Sequence, residues 1–204
     1  MIIAIEGIDG AGKNTLVHKL RDALDIPVEV LSFPRYADSI HAQLAQEALY
    51  GRMGDLTSSA YAMATLFALD RHGAKAQLEA AAESSSLLIL DRYAASNAAY
   101  SAARLGDDAV MDWVYELEFY RLGLPKPSLQ VYLSTPVEVA AQRASSREVE
   151  DATREKDQYE KDSDLQAATA AAYERLAACN WAGQWIATAD QGSIIGKVLD
   201  LVGE

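Results

Sequence analysis

The first fifteen residues limit what this chain can fold into more than any other stretch. Ile2, Ile3, Ala4 and Ile5 form a short apolar run that stops at Glu6 and Gly7, after which Gly10 and Gly12 lead into Lys13. Leu16, Val17, Leu20 and Leu24 follow at helical spacing. Physically, this is a buried strand, a loop whose backbone N–H groups can close around phosphate, and a helix whose N-terminus points at the same place. A plain glycine-rich turn with a solvated lysine is the alternative. It leaves three glycines in six residues without a purpose, although each adds unfolded-state entropy. The loop residues expected to surround phosphate are Gly7, Asp9, Gly10, Ala11, Gly12, Lys13, Asn14 and Thr15. The common pattern puts Ser or Thr directly after the lysine. Here Asn14 stands there and Thr15 comes one place later.

The rest of the chain alternates strands with helices. Val28–Ser32 reads as a second strand, broken by Pro34 so that Arg35 and Tyr36 project from a loop. Helices are expected over about 39–52 and, after a Gly51/Gly54 break, as one long segment over about 57–83. Leu87–Leu88–Ile89–Leu90 is apolar without alternation, as in a strand covered on both faces. It ends in Asp91–Arg92–Tyr93, and a helix with Ser96, Asn97, Tyr100 and Ser101 follows. Further helices are expected over about 107–121, from Pro136 to about Ser146, and around Tyr159, Leu165, Tyr173 and Leu176. Leu129–Leu133 and Trp185–Ala187 are the fourth and fifth strands, and Ile194, Ile195, Val198 and Leu201 mark a terminal helix. This order implies one three-layer α/β domain with a mainly parallel sheet and ligands beyond the C-terminal strand ends. The glycine loop, Phe33–Pro34–Arg35–Tyr36 and Asp91–Arg92–Tyr93 therefore converge on one edge.

Each candidate side chain has a plainer counterpart. Lys13 is the point charge expected to reach the β- and γ-phosphates. Asp9 in the same loop either faces them through a metal ion or a sugar hydroxyl, since bare carboxylate and phosphate repel, or serves only to bond a backbone N–H of the turn. Asp91 is either a metal-organising carboxylate or a helix cap. Arg92 and Arg35 at strand ends are costly to place in a crevice unless they face an anion. Phe67 and Arg71 share a helix face, which suits a nucleobase or a core with a snorkelling arginine. Asn97 and Tyr100 share the next such face. Arg143, Arg147, Arg154 and Lys156 form a solvated charged face or a closing lid over about 144–157.

The segments Glu6–Lys13, Phe33–Tyr36, Tyr61–Arg71, Asp91–Tyr100 and Gly123–Pro127, in that order, make the chain similar to the bacterial thymidylate kinases, particularly the actinobacterial branch. The resemblance spans essentially the whole chain. It implies a P-loop NTPase fold with a five-stranded parallel sheet surrounded by helices, a helix-mediated homodimer, and Mg2+-assisted transfer of the ATP γ-phosphoryl group to dTMP. It implies that Phe67 stacks on thymine, Arg71 donates to O4, Asn97 bonds the base edge and Tyr100 crowds the sugar 2′ position. Phe33, Arg35, Tyr36, Arg92, Ser101, Tyr159 and Glu160 would complete the acceptor site, and Arg143 and Arg147 the ATP site. Asp9, Asp91 and Glu160 would serve the metal, and Lys13, Arg92, Asp9, Arg147 and Arg154 the chemistry. Asn14, in place of the usual hydroxyl, implies a metal held more by phosphate, water and Asp9.

Composition sets outer limits. A net charge of −12 argues against a nucleic-acid partner, so anionic ligands need local clusters of positive charge. The single cysteine, Cys179, excludes an intrachain disulfide and is expected to be a small buried residue. His18, His41 and His72 lack metal-ligand spacing. Without a leader-like N-terminus or a run long enough to span a membrane, a cytoplasmic location is expected. Asp70–Arg71–His72–Gly73 matches the short Asp-x-x-Gly pattern of GTPase switches, but no Asn-Lys-x-Asp guanine motif accompanies it.

Overall fold

The computed structural model describes residues 1–150 and 157–203, the side chains of 147–150 apart. In chain order the elements are β1 (Ile2–Glu6), α1 (Lys13–Ala23), β2 (Val28–Ser32), α2 (Ile40–Leu49), a 3-10 turn (Leu56–Ser58), α3 (Ala60–Gly73), α4 (Lys75–Glu83) and β3 (Leu87–Asp91). There follow α5 (Ala94–Leu105), α6 (Ala109–Tyr115), which runs into a π-helical turn (Glu116–Arg121), β4 (Leu129–Tyr132), α7 (Val137–Glu150), α8 (Gln158–Lys161), α9 (Ser163–Ala178), β5 (Trp185–Ala187) and α10 (Gln191–Val202). The five strands pair in the order β2-β3-β1-β4-β5, all parallel, as the alternation of strands and helices requires.

The central strands lack polar alternation because helices cover both faces, yet their side chains still alternate between two cores. Ile2, Ala4, Leu88, Leu90 and Tyr132 face a core completed by α4, α5, α6 and α9. Ile3, Ile5, Leu87, Ile89, Leu129 and Val131 face the other, closed by α1 and α10. Ala94, Ala95, Ala98, Ala99 and Ala102 are buried along α5, and such small side chains let α3, α6 and α9 pack closely around it. The sheet register sets Asp91 beside Ile5 and Ser32, and Glu6 beside Tyr132, so the polar strand ends share one edge.

Several boundaries differ from the sequence expectation. The long helix over 57–83 is three pieces: the 3-10 turn, α3 and α4. Ser59 Oγ accepts from Ala62 N to start α3. At its end, a Cβ on Gly73 would lie 2.7 Å from Arg35 Nη2, so the glycine leaves room for that guanidinium. The periodicity runs through the break because Ala74, Leu78 and Ala81 of the next helix join the sheet core. The helix over 107–121 ends in a π turn, and α7 runs four residues past Ser146. The segment carrying Tyr159 and Leu165 divides at Asp162, whose carboxylate accepts from Leu165 N and so starts α9 afresh. Cys179 is exposed, not buried: it caps α9 just beyond Leu176, the last core residue of that helix.

Candidate active site

Beyond the C-terminal end of β1 the chain turns through a loop that only glycine can build. Gly10 has φ +83°, and a Cβ there would meet the Ala140 carbonyl oxygen at 2.0 Å. Gly12, at φ 101°, starts α1 from a left-handed conformation. Thr135 Oγ1 donates to the Ala11 carbonyl at 2.9 Å and Arg143 Nη1 does so at 3.4 Å, pinning the outer side of the loop. Lys13 Nζ lies 3.3 Å from the carbonyls of both Gly7 and Ile8, curled over the loop. Asn14, Thr15, Asp91, Thr135 and Arg143, with Gln191 and Gly192 at the start of α10, line an open cleft of about 1420 Å3 around this loop.

Asp9 is the centre of a dense polar network. Arg92 Nη2 donates to its Oδ1 at 2.6 Å, Tyr100 OH to its Oδ2 at 3.0 Å, and Gln166 Nε2 to the same oxygen at 3.4 Å. Gln166 Oε1 in turn accepts from Asp9 N. Arg92 has φ 66°, a left-handed conformation unusual for a residue with a side chain, and its Nη1 donates to Ser96 Oγ at 3.2 Å. Behind it, Glu6 accepts from Tyr93 N, Ser96 Oγ and Tyr173 OH, closing a network that runs from β1 through α5 to α9. Asp91 Oδ1 is buried and has no hydrogen-bond partner among the described residues.

A second cavity of about 440 Å3 opens on the other side of this pair, lined by Phe33, Tyr36, Phe67, Arg71, Asn97, Tyr100, Ser101, Tyr159 and Glu160. Asp9, Phe33 and Arg92 belong to both cavities and form the wall between them. The Tyr100 and Tyr159 rings stack at 5.9 Å with planes 13° apart, and Arg104 donates to Tyr159 OH. Arg71 is buried at the cavity floor, where Nε and Nη2 both donate to Glu118 at 2.5 and 2.6 Å.

Charge and burial compete at the wall. Burial alone would raise Asp9, but the Arg92 and Lys13 charges, with the Tyr100 and Arg92 hydrogen bonds, hold it well below the usual carboxylate range. Burial, and next the Arg92 charge, push the Lys13 ammonium down to about 8 against the pull of Asp9, Asp91 and Glu6. Burial raises Glu6 despite its hydrogen bonds. Burial, followed by the Glu160 and Asp9 charges, raises Asp157 to about 6, although its capping bonds to Tyr159 and Glu160 oppose this. Burial and the Asp9 charge lift Tyr100 far above its ordinary value, so it stays a phenol and donates to Asp9.

The structure brings together the sequence-selected loop residues from Asp9 to Thr15, the acceptor-side residues Phe33, Tyr36, Phe67, Arg71, Asn97, Tyr100, Ser101, Tyr159 and Glu160, and the shared Asp9 and Arg92. Gly7 lines neither cavity and offers its carbonyl to Lys13. Arg35 is set apart. Its N and Nε donate to the Asp70 carboxylate at 2.9 and 3.0 Å and its Nη2 to the Asp70 carbonyl at 2.6 Å, and it does not line the cavity. That arrangement also accounts for Asp70–Arg71–His72–Gly73: Asp70 anchors Arg35 and Gly73 makes room for it. Arg154 and Lys156 lie outside the described residues with the rest of 151–156, as does the side chain of Arg147, so that part of the expected lid is not described. Sequence reasoning gives no role in the site to Glu118, Arg104 or Gln166, nor to Ser96 and Tyr173, which it places only on helices. Only Glu118 left a readable trace, since it continues the Val110–Val114 apolar stripe by another four residues.

With this geometry described, known proteins give it a context. The sequence matches the family model described as Thymidylate kinase over residues 5–192. It is 52% identical over 192 residues to the thymidylate kinase of Mycobacterium tuberculosis, an alignment that covers 91% of this chain and 90% of that protein. The human thymidylate kinase is 29% identical over 147 residues, 71% of this chain and 65% of its own. Among solved structures, the thymidylate kinase of Candida albicans superposes with a TM-score of 0.74 at 21% identity, covering 99% of this chain and 90% of that one, a likeness of fold.

Proposed function

The chain belongs to the thymidylate kinase family, and from that premise we propose that it transfers the γ-phosphoryl group of ATP to dTMP, giving dTDP and ADP. ATP would occupy the glycine-loop cleft and dTMP the cavity lined by Phe67, Arg71 and Asn97. The observation that carries this assignment is the shared wall: a phosphate-type loop and a base-sized aromatic cavity meet at Asp9 and Arg92. Two anions brought to either side of Arg92 have a cation between them.

The acceptor phosphate has a second pKa of about 6, so it is nucleophilic near neutral pH without a general base. What the protein supplies is position and positive charge. Lys13 leaves its carbonyl contacts to bind donor phosphate, and Arg92, held rigidly by Asp9 and Ser96, faces the oxygens that gain charge in the transition state. Phe67 provides the stacking face, and Arg71 the donor for thymine O4. The Arg35 pair with Asp70 leaves Arg92 as the cation in place for the acceptor phosphate. Lid residues Arg143, Arg147 and Arg154 are assigned to the ATP side.

The donor set also suits a magnesium ion. Mg2+ keeps most of its water and takes one or two carboxylates plus phosphate oxygens. Asp91 offers a buried oxygen without a hydrogen-bond partner among the described residues, beside the cleft that holds Lys13. Asp91 and Asp9, which both line that cleft, would hold the ion. Glu160, the third carboxylate expected there, lines only the other cavity, and no group of three side chains that could hold a metal is present among the described residues. When bound it neutralises charge on the β- and γ-phosphates. Asn14 contributes no hydroxyl to that shell, which places more of it on phosphate and water.

A helix-mediated homodimer and a cytoplasmic location complete the assignment. Tyr61, exposed on α3, offers an aromatic surface for the former. Among the described residues no helix is long and apolar enough to cross a membrane. The test is ADP release with ATP and Mg2+ across dTMP, dUMP, dCMP and the free nucleosides. We expect dTMP to be turned over fastest. Faster turnover of dCMP or of a nucleoside would replace the assignment with another nucleotide kinase.

A further inference from the structure

We propose that Glu118 is a positioning residue that sets the hydrogen-bonding polarity of the base-reading site, and so selects thymine over cytosine without touching the nucleotide. The proposal rests on dTMP being the acceptor. Glu118 belongs to the π-helical turn, has no exposed surface, and comes from an element that lines neither cavity. π turns are rare and recur at functional sites, because the extra residue redirects the side chains around it.

Two cavity residues meet at its carboxylate. Arg71 donates to it through Nε and Nη2, which leaves Nη1 as the guanidinium edge without a partner among the described residues. Asn97 Nδ2 donates both to Glu118 Oε1 at 2.8 Å and to the Ala64 carbonyl at 2.9 Å. Both amide hydrogens are thereby used, and the Asn97 Oδ1 remains for a ligand. A carboxylate paired with arginine offers acceptors only. Glu118 therefore fixes one cavity residue to present a donor and the other to present an acceptor.

That pair of groups matches one kind of pyrimidine edge. Thymine and uracil present the O4 acceptor beside the N3–H donor; cytosine presents an N4 amino donor beside a bare N3 acceptor. Arg71 Nη1 and Asn97 Oδ1 complement the first arrangement and oppose the second at both positions. A buried site built to bond one arrangement rejects the other, because the mismatch leaves its own polar groups unpaired.

Glu118→Gln keeps the volume and removes the uniform acceptor character. Whichever way the new amide turns, its NH2 faces an N–H of Arg71, so the fork loses its seat. We expect the KM for dTMP and for dUMP to rise together, roughly 10–100-fold. The KM for ATP should stay within about twofold of the parent. The preference for dTMP over dCMP should fall about 10-fold or more, with the dTMP to dUMP ratio unchanged. General structural damage would not divide the substrates in this way.

Glu118→Asp, which keeps the buried charge but draws the carboxylate back by one methylene from Arg71 and Asn97, makes the same measurement if the amide variant does not fold. It should show a smaller loss of dTMP over dCMP preference in the same direction. Either variant, folded by its thermal melt, with the parental dTMP to dCMP ratio would overturn the proposal. So would an equal loss of kcat on every substrate with that ratio intact. A parent enzyme that turns over dCMP as well as dTMP would instead remove the assignment on which the proposal rests.

Discussion

Arg92 reaches Asp9 at 2.6 Å from a backbone held at φ 66°, so the two residues that divide the cavities are locked together before any nucleotide arrives. Such a conformation is disfavoured for a side-chain-bearing residue and persists only where the surroundings determine it. Here Ser96, Tyr173 and the Tyr100 ring hold the guanidinium from the other sides. We expect Arg92→Ala to fold and to lose about 10²–10³ in kcat, as when a preorganised donor to transition-state charge is removed. Arg92→Lys keeps a charge without the fork and should fall between the two. Steady-state kinetics on both variants decide this; parental kcat in the alanine variant would remove Arg92 from the chemistry.

Lys13 gives the expected pH dependence. Burial and Arg92 bring its ammonium from the usual 10.5 down to about 8 in the nucleotide-free enzyme. The charged form binds phosphate, and a lowered value means that charge is lost as pH rises. The kcat/KM for ATP should therefore be level below about pH 8 and fall above it, approaching tenfold per pH unit. In the ternary complex the phosphates favour the ammonium, so kcat should hold to higher pH. A pH profile of kcat/KM for ATP that stays level to pH 10 would rule this out. Lys13→Ala should fold with turnover abolished.

The fold was legible because its signals are local. The apolar run of β3, the glycines before Lys13 and the Pro34 break after β2 each act within a few residues. Of the cavity-lining residues, those at strand ends or on the helix faces of Phe67 and Asn97 were legible, whereas Tyr159 and Glu160 came only from the family resemblance and Arg104 from neither. What stayed hidden depends on pairing at long range. Nothing near Arg35 indicates that Asp70 will hold it, thirty-five positions away, and nothing near Asp9 indicates Gln166. Asp9 illustrates the difference. Alone in the sequence, a carboxylate among phosphates asks for a metal or a hydroxyl; in the fold, Arg92, Tyr100 and Gln166 already attend to it. Cys179 misled for the opposite reason, since an alanine-rich helix does not reveal on which residue it stops.

Gly10 should be the least replaceable residue of the loop. Its positive φ and the 2.0 Å approach to the Ala140 carbonyl act together, and backbone against backbone cannot yield as a flexible side chain does. Gly10→Ala should cost roughly 3 kcal/mol or more in urea unfolding. Gly12→Ala meets only side-chain atoms, with Arg143 Nη1 nearest at 3.5 Å. It should pay conformational strain alone, about 1–2 kcal/mol. Equal losses would place the whole effect in loop conformation and none in the contact with α7.

Tyr100 combines two roles that substitution can separate. Its hydroxyl donates to Asp9, while its ring, stacked on Tyr159 and facing the acceptor cavity, is assigned to the sugar 2′ position. Tyr100→Phe removes only the hydrogen bond. Since Arg92 still holds Asp9, kcat should fall about 2–10-fold, with the preference for dTMP over its ribonucleotide counterpart unchanged. Tyr100→Ala removes the ring as well and opens space beside the sugar. Turnover of the ribonucleotide relative to dTMP should then rise about 10-fold or more. Competition between the two substrates for each variant separates the contributions. If Phe and Ala shift the preference equally, the hydroxyl reads the sugar and the ring only fills the wall.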